Sequence, residues 1–148
     1  LEELGIPEIA FNLGIKGTTH GSTTGRTLEK IEEVLIAQKP DGIIVYGDTN
    51  ATIAGALAAV KLHIPIFHVE AGLRAHDLTI PEDVNRIATD HFSALCFAPS
   101  ENAMHCLRNE NLADRSILAG DVMYDLTKYY QQNLSSYKSR FFPAETFK

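Results

Sequence analysis

The sequence predicts an α/β domain built on a mostly parallel sheet, and three observations carry that expectation. Strand-like and helix-like runs alternate along most of the 148 residues, and helices of this length serve as crossovers that return each strand parallel to the last. The strands read as continuous apolar runs: Ile43, Ile44, Val45 and Tyr46 follow one another without a polar break, as a strand with helices on both faces of its sheet requires. A chain of this length also buries on the order of two thirds of its unfolded surface, enough for one core.

Taken in order, Leu1 to Leu4 read as the tail of a helix that begins upstream, stopped by Gly5 and Pro7. A short extended piece at Phe11 to Leu13 precedes KGTTHGSTTG, whose glycines and threonines read as a loop. Leu28, Ile31, Val34 and Leu35 then repeat at helical spacing, in a helix that must end before Pro40. DGIIVYGD is a strand. NATIAGALAAVKLH is a helix with Asn50 as N-cap and Ile53, Leu57 and Val60 on one stripe. Its many Ala and Gly residues leave it nearly bare, so its backbone can approach a sheet closely. IPIFHV is the next strand, and Pro81 to Phe92 is a helix that turns Val84, Ile87, Ala88 and His91 inward. Strand ALCFAP, helix SENAMHCLRNENL, strand RSILAG and a helix from about Val122 to Leu134 follow. The last fourteen residues show no period.

A net charge of −6 argues against a protein that grips nucleic acid or an anionic membrane by bulk charge. Cys96 and Cys106 fall in a strand and a helix, where they serve as small buried hydrophobes of a reducing compartment. The acidic LEELGIPE start lacks a basic leader, and no apolar run approaches the ~18 residues of a membrane span. The cytosol is the expected location.

The chemistry concentrates in HVEAGLRAHDLTIPEDVNR, from His68 to Arg86. Glu70 emerges at the carboxyl end of its strand and Asp48 at the same end of the preceding one, the edge where open α/β sheets bind ligands. Neighbouring strands ~4.8 Å apart would bring both acids to one rim. Asp48 can equally serve a turn or cap beside Asn50. Glu82 reads as structural from its pattern: Thr79-Ile-Pro-Glu82 fits a capping box, and Glu82, Arg86 and Asp90 fit a charge ladder along the helix. His68 shares a strand face with Glu70 and has the ordinary reading of a satisfied core histidine. The histidines His63, His68, His76 and His91 lack the spacing of a metal site, and no Gly-x-Ser-x-Gly elbow supplies a nucleophile. No metal or cofactor is expected.

Together, VYGDTNATIAGALAAVKLHIP, HVEAGLRA, PEDVNRIATDHFSALCFAPSENA and GDVMYD resemble the N-terminal half of the non-hydrolysing UDP-N-acetylglucosamine 2-epimerases. The likeness runs from about Leu4 to Asp125, and it is the combination of GDT, HVEAGLR and PE-x-x-NR in this order that is specific. The resemblance implies a Rossmann-like domain with helices on both faces, one half of a glycosyltransferase-B type architecture. Residues 1–134 would form that domain, incomplete at its start, and 135–148 a tail or crossover, with the second domain absent. It implies interconversion of UDP-GlcNAc and UDP-ManNAc for polysaccharide precursors, by a homodimer. Asp48, Glu70 and Glu82 match the family's catalytic acids, which reverses the structural reading of Glu82. Arg74, Arg86 and His68 would bind or orient the substrate and the acids. The sequence departs from the pattern at Asp83, where a second Glu is commoner, and at Ser22 and Thr23, where close relatives have glutamines near an activator site. A non-catalytic nucleotide-sugar-binding module and the acceptor domain of a glycosyltransferase of the same architecture are the competing readings.

Overall fold

The computed structural model describes residues 7–17 and 19–132; the helix tail expected at Leu1 to Leu4 and the aperiodic last residues lie outside them. Nine regular α and β elements follow in order within these residues: α1 His20–Gln38, β1 Ile43–Tyr46, α2 Asn50–Lys61, β2 Ile66–Val69, α3 Pro81–Phe92, β3 Leu95–Ala98, α4 Glu101–Asn109, β4 Ser116–Leu118 and α5 Val122–Gln132. The four strands pair in sequence order, all parallel. Ile43 aligns with Ile66 and Tyr46 with Val69, so β1 and β2 end level with each other.

From His20 to Gly25 the stretch expected to be a loop, which begins at Gly17, is in fact the start of α1. Thr19 caps the helix by accepting from the backbone N–H of Ser22 at 3.2 Å, and Thr27 is buried further along the helix. A good cap and packing against α2 outweigh the weak helix propensity of Gly and Thr. The helix ends where Pro40 demands, with Lys39 in the left-handed region. The cap of α2 is Thr49 rather than Asn50: Thr49 and Thr52 exchange side-chain and backbone bonds in a capping box. Nor is the Ile53, Leu57, Val60 stripe the most buried one. Ala54, Gly55, Ala56, Ala58 and Ala59 are, because α2 is held between α1 and the sheet and only small side chains fit both sides. A Cβ on Gly55 would lie 3.6 Å from Ile31 and 3.7 Å from Val45, one neighbour on each side.

Helices α2, α3 and α4 cover the sheet face carrying Val45, Ile66, His68, Cys96 and Ala98. The other face departs from expectation. Ile44 and Tyr46 are 59% and 64% exposed, so among the described residues β1 is an edge strand with one open apolar face. An apolar run states what a face is suited to touch, not which residues touch it.

Helix α3 differs most from its reading. Val84 and His91 face outward, and the fully buried positions are Asp83, Thr89 and Asp90. The capping box at Thr79 does not form: Ile80 is the N-cap without a side-chain bond, and Thr79 bonds Asp77 instead. The charge ladder is also absent, since Arg86 and Asp90 take partners on other elements. Thr89 and Ser93 satisfy their hydroxyls on carbonyls one turn back, at 2.8 and 2.7 Å, so these two buried hydroxyls remain hydrogen-bonded.

Cys96 and Cys106 are free and buried as expected. Burial, reinforced by the charge of Asp90, pushes the Cys96 thiol up to about 12, which keeps it protonated and inert. No helix among the described residues is long and apolar enough to cross a membrane.

Gly72 turns the chain beneath α4. Its φ is +82°, and a Cβ there would lie 2.5 Å from the carbonyl oxygen of Ala103 and 2.7 Å from Leu107 Cγ. Gly72→Ala combines left-handed strain with overpacking and is expected to lower stability by about 2–3 kcal/mol. The urea unfolding midpoint measures it; an unchanged midpoint would mean that α4 moves aside freely.

Candidate active site

The site grows from two turns in register. β1 and β2 end at Tyr46 and Val69, and each is followed by a residue in the left-handed region, Gly47 at φ +63° and Glu70 at φ +74°. Gly47 donates its N–H to the carbonyl of Val69 at 3.1 Å, and Ala71 donates to Phe97 at 3.1 Å, which carries the ladder past the strand ends. For Gly47 this conformation costs little. For Glu70 it costs on the order of 1–2 kcal/mol, and strain held on a charged residue at a strand's carboxyl end makes Glu70 a candidate for a functional role.

The acids meet here. A Cβ built on Gly47 would stand 3.3 Å from Glu70 Oε2, so the Glu70 carboxylate lies against the backbone that leads into Asp48. Asp48 Oδ2 is 2.5 Å from Nη2 of Arg86, whose side chain is only 13% exposed, while the Asp48 side chain retains 23% exposure at the rim. Asn85 donates to the Asp48 carbonyl at 2.9 Å and bonds Asn50 Oδ1 at 3.3 Å. Thus consecutive residues of α3, Asn85 and Arg86, hold the main chain and the carboxylate of Asp48. Asn50 in turn bonds Nδ1 of His20, in the first turn of α1, at 3.1 Å from its amide nitrogen.

Glu82 is exposed in the first turn of α3, one turn before Arg86. Side chains four apart share a helix face, so Glu82 stands on the side of α3 that grips Asp48. Among the described residues neither Glu70 nor Glu82 enters an ion pair. Of the three candidate acids, Asp48 is held by a cation and the other two are not.

Behind the rim lies a buried polar network. Asp90, fully buried, accepts from His68 Nδ1 at 2.6 Å, from the N–H of Gly72 at 3.0 Å and from Arg74 Nη2 at 2.7 Å. Arg74 also bonds both oxygens of Glu110 at 2.7 and 2.8 Å and the carbonyl of Leu73 at 2.8 Å. Burial opposes the Arg74 charge, but the hydrogen bonds and charges of Glu110 and Asp90 more than offset it and hold the guanidinium above its ordinary range. The Arg74 hydrogen bond holds the Glu110 carboxyl below the usual range. Nearer the start of α3, Asp83 acts in a similar way: its two oxygens accept from the N–H groups of Ala75 and Asp77 at 3.0 and 3.3 Å and pin the loop after Gly72.

The structure therefore separates residues that the sequence grouped. Asp48, Glu70 and Arg86 come together at the rim, with Glu82 beside them. Arg74 and His68, at 2% and 0% side-chain exposure, lie beneath the surface and do not face the solvent side of the site. His68 reaches the Gly47 carbonyl rather than the Glu70 carboxylate. Asn85, Asp90 and Asp83 are site residues that the sequence reading misses, yet a signal existed. Asp83, Arg86 and Asp90 are spaced three and four apart, which sets a polar stripe on one side of α3.

A parallel α/β domain with carboxylates collected at the carboxyl edge of its sheet falls, in class, among the Rossmann-like domains, the fold in which that edge is the usual place for a ligand. Comparison with known proteins gives the family. A model of the UDP-N-acetylglucosamine 2-epimerase family matches residues 1–146. A UDP-N-acetylglucosamine 2-epimerase homolog of Methanococcus maripaludis is 53% identical over 124 residues, 84% of this chain and 35% of its own length. The UDP-2,3-diacetamido-2,3-dideoxy-D-glucuronate 2-epimerase of Pseudomonas aeruginosa is 48% identical over 138 residues, 91% of this chain and 39% of its own. Among solved structures, the Methanocaldococcus jannaschii UDP-GlcNAc 2-epimerase in complex with UDP-GlcNAc and UDP superposes with a TM-score of 0.87 at 44% identity, over 95% of this chain and 38% of that one. The chain belongs to the UDP-N-acetylglucosamine 2-epimerase family, and it spans 35–39% of the length of these relatives.

Proposed function

We propose that this chain supplies the acidic half of a nucleotide-sugar 2-epimerase site, of the non-hydrolysing kind, that interconverts UDP-GlcNAc and UDP-ManNAc. The observation that carries the reading is the pair of in-register left-handed turns that sets the Glu70 carboxylate against the backbone entering Asp48.

The C2 hydrogen of a pyranose is not adjacent to a carbonyl, so removing it directly forms no stabilised anion. Cleavage of the C1–O bond to UDP builds positive charge at C1, which acidifies that hydrogen and is stabilised by nearby negative charge. Loss of the proton then leaves 2-acetamidoglucal and UDP. Re-addition of UDP at C1, with a proton delivered to the opposite face of C2, gives the epimer. The path needs a fixed charge and two groups that carry protons. Asp48, locked to Arg86, suits the fixed charge; Glu70 and Glu82, which enter no ion pair among the described residues, suit the proton transfers. Arg86 orients Asp48, and Arg74 supports the site from beneath. The contacts to UDP and the remainder of the cleft belong, on this reading, to sequence corresponding to the stretch of the relatives that this chain does not span, with residues 1–134 forming most of the first of two domains. The working protein would be a cytosolic homodimer; two buried free cysteines fit a reducing compartment.

A second substrate has a specific observation in its favour, the 48% identity to the diacetamido-glucuronate epimerase. Incubating the complete protein with UDP-GlcNAc or with the UDP-2,3-diacetamido-glucuronate in D2O decides between them. The expected result is epimer formation with deuterium at C2 for one sugar; no deuterium incorporation from either would overturn the epimerase reading and leave a binding module, which calorimetric titration with the same sugars would detect.

A further inference from the structure

Both nitrogens of the His68 ring face oxygen acceptors. Nδ1 lies 2.6 Å from Asp90 Oδ1 and Nε2 lies 2.8 Å from the carbonyl oxygen of Gly47, with the ring fully buried. A neutral imidazole carries one N–H, which would leave the second nitrogen's lone pair against an oxygen lone pair. Only the doubly protonated ring donates to both. Its surroundings match that charge: Asp90 from α3 is the acid it touches, Arg74 engages the other Asp90 oxygen, and the Cys96 thiol of β3 is neutral and points its hydrogen to the Asp90 carbonyl at 3.6 Å. Glu70 stands two residues further along the chain from His68.

We propose that His68 is a positioning residue, a doubly protonated tether that holds the Gly47–Asp48 peptide plane to the buried Asp90 and thereby aims Asp48. The Gly47 carbonyl belongs to the peptide bond that enters Asp48, in a turn whose left-handed φ gives glycine no steric barrier to other conformations. Three bonds then define Asp48: His68 on the peptide before it, Asn85 on its carbonyl and Arg86 on its carboxylate. The same peptide backs the Glu70 carboxylate, so releasing it disturbs both acids. The role rests on the reading of Asp48 and Glu70 as reacting groups.

Two conservative variants divide the tether from mere packing. An asparagine amide occupies the place of Nδ1, so His68→Asn retains a donor toward Asp90 and releases Gly47. A glutamine amide reaches the place of Nε2, so His68→Gln retains the bond to Gly47 and loses the one to Asp90. In the complete protein His68→Asn is expected to lower kcat by about 100-fold, the usual consequence of a reacting group displaced by ~1 Å, with KM little changed. His68→Gln is expected to recover most of the turnover while unfolding earlier in urea. In parallel, ¹⁵N-histidine spectra of the chain at neutral pH are expected to show protons on both His68 nitrogens. Equal loss of turnover in the two variants, unimpaired kcat in His68→Asn, or a single ring proton would each overturn the proposal. If the unaltered protein turns over no sugar nucleotide, the functional reading fails on its own, and the ring-proton count still decides the tether.

Discussion

Glu70→Gln in the complete protein is expected to lower kcat for sugar-nucleotide epimerisation by roughly 10²–10⁴-fold, the range for removing a proton-transfer group, with the unfolding midpoint almost unmoved. The substitution keeps shape and volume and removes only the ability to gain and lose a proton. Stability should hold because, among the described residues, no ion pair depends on the Glu70 carboxylate, and because the left-handed backbone at φ +74° is set by the turn and not by the charge. Exchange of the C2 hydrogen with solvent deuterium is the sharper readout, since a variant that cleaves the C1–O bond but cannot move the proton loses exchange and epimerisation together. Asp48→Asn provides the contrast: it breaks the 2.5 Å pair with Arg86, so it should lower both turnover and stability. Full turnover by Glu70→Gln would remove Glu70 from the reacting groups and leave its strain unexplained.

Asp90→Asn is expected to destabilise the fold by about 3–5 kcal/mol, read as the shift of the urea unfolding midpoint; removing one partner of a buried charged set costs that much because the other charge is left without compensation. The side chain is fully buried and accepts from three donors, His68, Gly72 and Arg74. An amide of equal size offers one acceptor oxygen and turns an NH2 group toward a donor, while Arg74 and His68 keep buried positions with one anion fewer. Glu110 limits the loss at Arg74 by its two bonds. That residual pair has its own pH signature. The Glu110 carboxyl is held below its ordinary value of 4.5 by Arg74, so the stability it contributes is present above about pH 4.5 and is lost as the pH falls through the lower folded value. A midpoint unaffected by Asp90→Asn would mean that water or a neighbouring group replaces the carboxylate.

Much of the site was legible in the sequence. Asp48 and Glu70 follow apolar runs directly, and a strand's end is the one place where a buried run must give way to a rim, so their proximity followed from parallel pairing alone. Glu82 was legible only within a motif, because its local pattern fits a helix cap that Thr79 does not make. The inner face of α3 defeats the sequence reading because Val84, Ile87 and Ala88 fit an apolar stripe as well as Asp83, Arg86 and Asp90 fit a polar one. Hydrophobic periodicity assumes that the buried face is the apolar one. Here the buried face is charged, and its cost is met by partners on β2, in the loop after it and in the turn after β1, elements that only the fold brings to this helix.

What the sequence by itself determined is the order of strands and helices, their parallel return, and the edge at which the acids emerge; chain-local propensities and apolar runs are sufficient for these. The tertiary structure alone decided which charges neutralise which: Arg86 holds Asp48, Arg74 is committed to Asp90 and Glu110, and His68 holds a backbone carbonyl. Ionic and hydrogen-bonding partners are selected by distances of about 2.5–3 Å between groups 16 to 38 residues apart, and no spacing along the chain encodes such a distance until the sheet has brought its strands into register.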